Sequence, residues 1–349
     1  MARPSLAARI VTWQRQHGRH HLPWQQTQDP YRVWLSEIML QQTQVATVVD
    51  YYQRFLARFP TVADLAQAPA DEVLSLWAGL GYYARARHLH ACAQTIVDHW
   101  QGQFPPDASS LQTLPGIGPS TAAAIAAFCY AERAAILDGN VKRVLTRYFA
   151  IDQDISKTTT TQTLWALARE VLPSSTLTKR QPDAMARYTQ GLMDLGATVC
   201  VRSNPKCSQC PLRQSCQAYA AGTPEDFPVK TRKTGEKPTR DVALLWLTCG
   251  EHVLLEKRPD TGIWGGLWCL PTDVDLSGKL GFGTPLAMAS FAHELTHFRM
   301  HITPWRLHCQ TPPTGTTLGE RQQWVARSDL SAYGLPKPVR ALLGDGSDC

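Results

Sequence analysis

Four of the chain's ten cysteines, Cys200, Cys207, Cys210 and Cys216, fall in one short stretch with the spacing C-x6-C-x2-C-x5-C, while the other six are scattered. No other feature limits the fold as tightly, because four thiolates on one compact loop can surround a cation or a cluster. A structural zinc is one reading. Zinc loops usually offer two close pairs, however, and here a single C-x2-C pair is flanked by two isolated cysteines at unequal distances. Met1 to Ile10 lacks an apolar core followed by a small-residue cleavage site, so the chain is expected to stay in the cytosol. There, ten cysteines do not suggest a disulfide framework.

Upstream of the loop, from Pro4 to about Ala221, helical segments alternate with short Pro and Gly breaks. This half is expected to be all-α. Thr223 to Arg240 is rich in Pro, Lys and Thr and has no apolar periodicity, as a linker would be. Beyond it, Val242–Leu247 and Val253–Leu255 bracket the turn-like Cys249-Gly250-Glu251, which predicts a hairpin opening an α+β domain. Two domains suit 349 residues. The longest apolar run, Thr121 to Tyr130, is alanine-rich and too short to span a bilayer, so no membrane partner is expected. A formal charge of +6 suits a polyanion without requiring one.

Leu114-Pro115-Gly116-Ile117-Gly118 separates two helical runs. Its glycines permit a tight turn that presents N–H groups at a helix N-terminus, where a phosphate can bind. A helix precedes this turn and no third glycine follows, which disfavours a dinucleotide fingerprint. In the run Trp34 to Val45, Ser36 is a plausible N-cap, Glu37 falls in the first turn, and Glu37, Gln41 and Gln44 share a face. A glutamate answering the helix dipole is the plain reading of Glu37. Asp138, in Ile136 to Val141, sits beside Gly139 with Asn140 able to cap a helix starting near Val141. Breaking a glycosidic bond needs one carboxylic acid to protonate the leaving group and one carboxylate to stabilise an oxocarbenium-like sugar. Glu37 and Asp138 can fill those roles.

The cysteine spacing resembles the [4Fe-4S] loop of the endonuclease III superfamily, and the glycine turn resembles that superfamily's helix-hairpin-helix motif. Together with Ser36 to Val45, Gly79 to Arg87 and Ile136 to Leu145, they resemble the A/G-specific adenine glycosylase (MutY) family over nearly all of the first 216 residues. The resemblance implies a helix-hairpin-helix glycosylase domain at 1–222, with a six-helix part near 23–132 and an iron-sulfur part formed by 1–22 and 133–222. It further implies one [4Fe-4S] cluster per chain, held by the four cysteines, and double-stranded DNA containing A:8-oxoguanine or A:G as partner. The adenine is flipped out of the stack for hydrolysis. Glu37 is then the general acid toward adenine N7, with Asp138 and Asn140 in the catalytic group. Gln41, Gln42, Leu80, Tyr82, Gly116, Gly118 and Ser120 face DNA. Trp24, Gln25 and Gln190 build the adenine pocket, although each could simply pack. Arg202 and Lys206 reach phosphate or are solvated. Bifunctional relatives carry a lysine nucleophile where this chain has Ser120, so the enzyme is expected to be monofunctional, without strong lyase activity. It is expected to act as a monomer on the nucleoid.

Leu254 to Pro271, after a linker at 223–240, resembles the opening of a Nudix fold, placing an α+β Nudix-like domain at 241–349. Nudix hydrolysis needs a glutamate-bearing helix for divalent metal. Between Pro271 and Glu294 the only acids are Asp273 and Asp275, so the domain is expected to bind 8-oxoguanine rather than hydrolyse. The family's Phe-Ser-His loop becomes Leu295-Thr296-His297, with Thr296 and His297 as the base-reading pair.

Overall fold

The computed structural model describes residues 5–231, 237–311 and 317–344, so 232–236 of the expected linker lie outside the described residues. Two compact units emerge: Met1–Ala66 with Ala91–Lys233, and Gln67–His90 with Thr234–Cys349. The first is helical and the second is built on a mixed sheet, to which the helical stretch Gln67–His90 also belongs.

The first unit's chemistry is held by a helix of small residues. In Pro119–Tyr130, Ala122, Ala123, Ala124, Ile125, Ala126 and Ala127 are all buried. Alanine costs no side-chain entropy on ordering and lets neighbouring backbones come close. The Pro30–Leu40 and Ala184–Thr198 helices both pack on it. The Ala184–Thr198 helix also meets Gly139–Tyr148 so closely that a Cβ at Gly196 would lie 2.6 Å from Asn140 Cβ, which requires a glycine. Leu6, Ile10 and Val11 of the first helix share one core with Val141, Val144, Tyr188, Leu192 and Leu195.

In the second unit, β1 (Thr239–Cys249) runs antiparallel to β2 (His252–Lys257) through a turn where Gly250 has φ 54°. This is the hairpin the sequence predicts. β2 also pairs with β3 (Trp268–Cys269) and β7 (Gln322–Ala326), while β1 pairs in parallel with β6 (Arg299–Cys309), against which β4 (Leu286–Ala287) and β5 (Phe291–Glu294) lie antiparallel. Successive β1 residues point to opposite faces. Leu244 and Trp246 join a core closed by Leu330, Val339 and Leu343, and Leu245 and Leu247 join another covered by Leu276, Leu280 and Phe282. Both faces are covered, which explains the unbroken apolar run of β1. Gln67–His90 is tied to this unit by a Lys257–Asp71 ion pair at 2.7 Å and by Arg87 Nη1 donating to the Gly265 carbonyl at 2.5 Å. Among the described residues no helix is long and apolar enough to cross a membrane.

Candidate active site

Glu37 does not sit where its local sequence suggests. Its helix runs from Pro30 to Leu40, with Asp29 as N-cap accepting from the Tyr31 N–H at 2.9 Å and Pro30 in the first turn. Ser36 is therefore not a cap: it is buried mid-helix and its hydroxyl donates to the Val33 carbonyl at 2.7 Å. Glu37 lies in the last turn, not the first. The helix ends before Gln41, so Gln41 and Gln44 do not continue Glu37's face, and Gln44 caps the next helix, Val45–Arg58. The Asp29-Pro30 signal outweighs Ser36, because an aspartate cap followed by proline at N1 is the stronger start.

This correction changes the electrostatics. At a helix C-terminus the dipole opposes a negative charge instead of favouring it. Burial pushes the Glu37 carboxyl up to about 8, and the nearby Asp138 charge adds to the effect. Asp138, also raised by burial, is pulled back by the Val141 N–H, by Asn140 and by the charge of Arg143. The two carboxylates are thus close enough to feel each other, with Glu37 protonated at neutral pH.

Asp138 itself, rather than Asn140, caps the Gly139–Tyr148 helix: the Val141 N–H donates to its Oδ1 at 2.7 Å, and Asn140 Nδ2 donates to its Oδ2 at 3.1 Å. Arg143 extends the chain of contacts, donating to Asn140 Oδ1 at 2.8 Å and to the Cys200 carbonyl at 2.7 Å. Ser120 Oγ accepts from the Leu137 N–H at 3.2 Å, next to Asp138.

Glu37 opens onto a cavity of about 230 Å³ whose walls include Trp24, Gln25 and Gln190, the three residues expected to receive a base, together with Gln14, His20 and Arg187. Trp24 is both core and wall, 7% exposed and edge-on to Tyr52 with ring centroids 5.5 Å apart. Gln25 Nε2 is buried without a hydrogen-bond partner, an orphan donor that a ligand would satisfy. The wall contributions of Gln14, His20 and Arg187 left no local mark in the sequence.

The hairpin turn carries Gly116 at φ 75°, a conformation other residues rarely adopt, and Gly118 caps the following helix with no side chain of its own. Gln41 Nε2 donates to Thr121 Oγ1 at 3.4 Å. Gln42 and Tyr82, exposed, hold φ of 58° and 49°. Such left-handed non-glycine residues cluster at functional sites. Leu80 is buried, and Arg202 and Lys206 are exposed.

Cys200, Cys207, Cys210 and Cys216 line one cavity. Burial pushes Cys210 up to about 12, and the neighbouring cysteines reinforce it, so four thiolates would repel one another unless a cation lay among them. Arg147, 2% exposed, donates to Cys200 Sγ at 3.4 Å, and its carbonyl accepts from Cys216 Sγ at 3.4 Å. The donor set fits a metal group. Among the described residues, though, no three His, Cys, Asp or Glu side chains converge on a single ion position. Arg143 and Arg147 went unread in the sequence, although their i, i+4 spacing puts them on one helix face.

In the second unit, Thr296 and His297 are exposed at the turn between β5 and β6. Leu295 and Phe298 flank them and pack on the sheet core, with the Leu295 N–H donating to the Phe298 carbonyl at 3.0 Å. Leucine in place of the family's aromatic therefore still anchors the turn. Thr296 Oγ1 lies 3.4 Å from the Tyr82 hydroxyl. The helix that follows Pro271 is only Leu276–Lys279 and bears no glutamate, and Asp273 before it is paired with Lys279 at 2.6 Å.

Residues 35–170 match the HhH-GPD superfamily of base excision DNA repair proteins, and residues 242–345 match a NUDIX domain. The first span contains Glu37, the hairpin and Asp138, and it makes the protein a DNA N-glycosylase of base excision repair. A thermostable thymine-DNA glycosylase superimposes with a TM-score of 0.53 at 27% identity, over 62% of this chain and 95% of its own. The adenine DNA glycosylase of Buchnera aphidicola subsp. Baizongia pistaciae is 35% identical over 96% of this chain and 94% of its own length. That of Homo sapiens is 36% identical over 75% of this chain and 56% of its own. The chain belongs to the adenine DNA glycosylase family.

Proposed function

We propose that the protein hydrolyses the N-glycosidic bond of adenine mispaired with 8-oxoguanine or guanine, after flipping the adenine into the Glu37 cavity. The observation that carries this reading is a carboxylic acid held protonated by burial at the cavity wall, beside a second carboxylate held by hydrogen bonds. Glu37 gives its proton to adenine N7, the C1′–N9 bond breaks toward the base, and Asp138 stabilises the cationic sugar. Water then adds to C1′ and returns a proton to Glu37. Ser120 cannot form an imine, so no strand cleavage accompanies base loss. The test is release of free adenine from an A:8-oxoguanine duplex with strand scission only after alkali. Scission without alkali points to a bifunctional enzyme, and binding without adenine release points to a DNA-binding module.

Cys200, Cys207, Cys210 and Cys216 hold a [4Fe-4S] cluster in this reading, supported by their spacing and by their shared cavity. When bound, the cluster neutralises the thiolates and staples the loop. The purified protein is expected to be yellow-brown with about four irons per chain, and Cys210→Ser to lose the visible band. Stoichiometric zinc without colour refutes this.

Thr296 and His297 read the oxidised base, supported by their exposure on an anchored turn and by the approach of Tyr82. An 8-oxoguanine adds an O8 acceptor and an N7 donor to guanine, which hydroxyl and imidazole can match. Replacing both with alanine is expected to weaken A:8-oxoguanine recognition by about 1–3 kcal/mol and A:G much less, measured by single-turnover excision at fixed salt. Equal losses on both duplexes would withdraw the assignment. With Asp273 paired with Lys279 and no glutamate on the Leu276–Lys279 helix, this domain binds and does not hydrolyse.

A further inference from the structure

Cys249 ends β1 and Cys309 ends β6, and the two are register partners across the parallel β1–β6 pair. Register partners point to the same face of a sheet, and their strands lie about 4.8 Å apart. That spacing falls inside the Cα separation of about 4.4–6.8 Å that a disulfide spans. The thiols already meet: Cys309 Sγ donates to the Thr248 carbonyl at 3.4 Å, and the Cys309 and Cys249 thiols are hydrogen-bonded to each other. The Gly250 N–H donates to the Cys309 carbonyl at 2.8 Å, which holds the two strand ends together. Cys249 is 5% exposed, whereas Cys309 is half-buried beside the exposed Gly250 and Gln310. A reagent therefore meets Cys309 first, with Cys249 behind it. Both belong to the second unit, and neither the proposed excision chemistry nor the four-cysteine loop uses them.

We propose that Cys249 and Cys309 are a modification site: an oxidising low-molecular-weight disulfide, such as oxidised glutathione, closes them into a reversible disulfide that fastens β1 to β6. The Cys309 thiolate attacks one sulfur of the small disulfide, forming a mixed disulfide and releasing one glutathione thiolate. The Cys249 thiolate then attacks the Cys309 sulfur, which forms the Cys249–Cys309 bond and breaks the bond to the second glutathione. Two protein thiols are oxidised to one disulfide, one glutathione disulfide is reduced to two thiols, and the two protons pass to the departing thiolates. Burial and the Cys249 thiol push Cys309 up to about 12. Because the thiolate is the attacking form, closure at neutral pH takes on the order of hours, so the pair answers sustained oxidation. Closure needs little movement, since β1 and β6 are already paired along their whole length. The bond closes a loop that contains β2 to β5 and the Thr296-His297 turn, and it stabilises the unit by restricting that segment when unfolded.

The full-length protein, freed of reductant, is equilibrated with oxidised glutathione at neutral pH. Remaining thiols are then blocked and the chain is digested without reduction. The expected main product is a peptide pair joined through Cys249 and Cys309, which reduced glutathione returns to two free thiols. Calorimetry is expected to show the melting of the second unit raised by roughly 5–15 °C on oxidation. Cys309→Ser is expected to lose both the joined peptides and the rise, and Cys249→Ala to stop at a Cys309–glutathione adduct. If either variant does not fold, mapping of the wild type decides. Wild-type Cys309 that carries glutathione while Cys249 stays free overturns the proposal, and so does a joined pair that forms only in denaturant. Joining confined to Cys200, Cys207, Cys210 and Cys216 overturns it as well, as does a Cys249–Cys309 bond that leaves the melting unchanged.

Discussion

Glu37→Gln is expected to lower single-turnover adenine release by about 10²–10⁴-fold, with binding of the mispaired duplex nearly unchanged. The amide keeps the shape of the side chain at the cavity wall and lacks the proton that turns adenine into a leaving group. Because burial and the Asp138 charge push Glu37 up to about 8, the wild-type rate should hold through neutral pH and fall as pH rises past that value. The variant should lose this alkaline limb. Stability offers a separate check with a definite sign. A buried carboxyl whose folded pKa lies above its unfolded value makes folding less favourable as pH rises from the ordinary glutamate range to about 8, and above that the penalty is complete. Glu37→Gln is therefore expected to melt higher than the wild type at alkaline pH, and the difference should shrink toward pH values below the ordinary glutamate pKa. A wild-type rate flat well above pH 8 would remove Glu37 as the acid.

Asp138→Asn separates charge from shape. Asparagine caps helices about as well as aspartate, so its Oδ1 can still accept from the Val141 N–H that now lies 2.7 Å from Asp138. Folding should change less than in the alanine variant, although the new Nδ2 faces the Asn140 amide that now donates to Asp138 Oδ2. The rate of adenine release should fall by about 10²–10³-fold, since the lost charge matters chiefly when the sugar becomes cationic. Asp138→Ala also loses the cap, at a further cost of about 0.5–2 kcal/mol of stability, and strands the Asn140 amide that donates to Asp138 Oδ2. Asp138 must be ionised to act. Burial raises its pKa while Val141, Asn140 and Arg143 restrain the rise, so the acidic limb of the pH profile should lie above the ordinary aspartate range and vanish in Asp138→Asn. If binding and rate fall together in Asp138→Asn, the residue is a helix cap and nothing more.

How much of this was legible along the chain depended on how far each feature reaches. The cysteine loop, the Gly116–Gly118 turn, the β1–β2 hairpin and the missing glutamate helix are local patterns, and short-range sterics and spacing decide them. The start of the Glu37 helix was also locally written, in Asp29-Pro30, but Ser36 competed with it. Burial of Ser36 settled the matter, and no window of sequence reports burial.

Sequence alone determined the helical first unit, the sheet-based second one and the four clustered thiols, because residue type and period constrain those directly, while the candidate carboxylates were picked out by resemblance. Only the tertiary structure supplied a physical reason for the proposed acid, Glu37, to hold its proton. The Glu37 pKa depends on burial and on Asp138, about a hundred residues further along the chain. It likewise decided that Asp138 is the cap and that Arg143 runs from Asn140 to the Cys200 backbone. Each of these is an electrostatic or hydrogen-bonding relation through space, and burial, which sets its strength, is a sum over neighbours that the order of residues does not list.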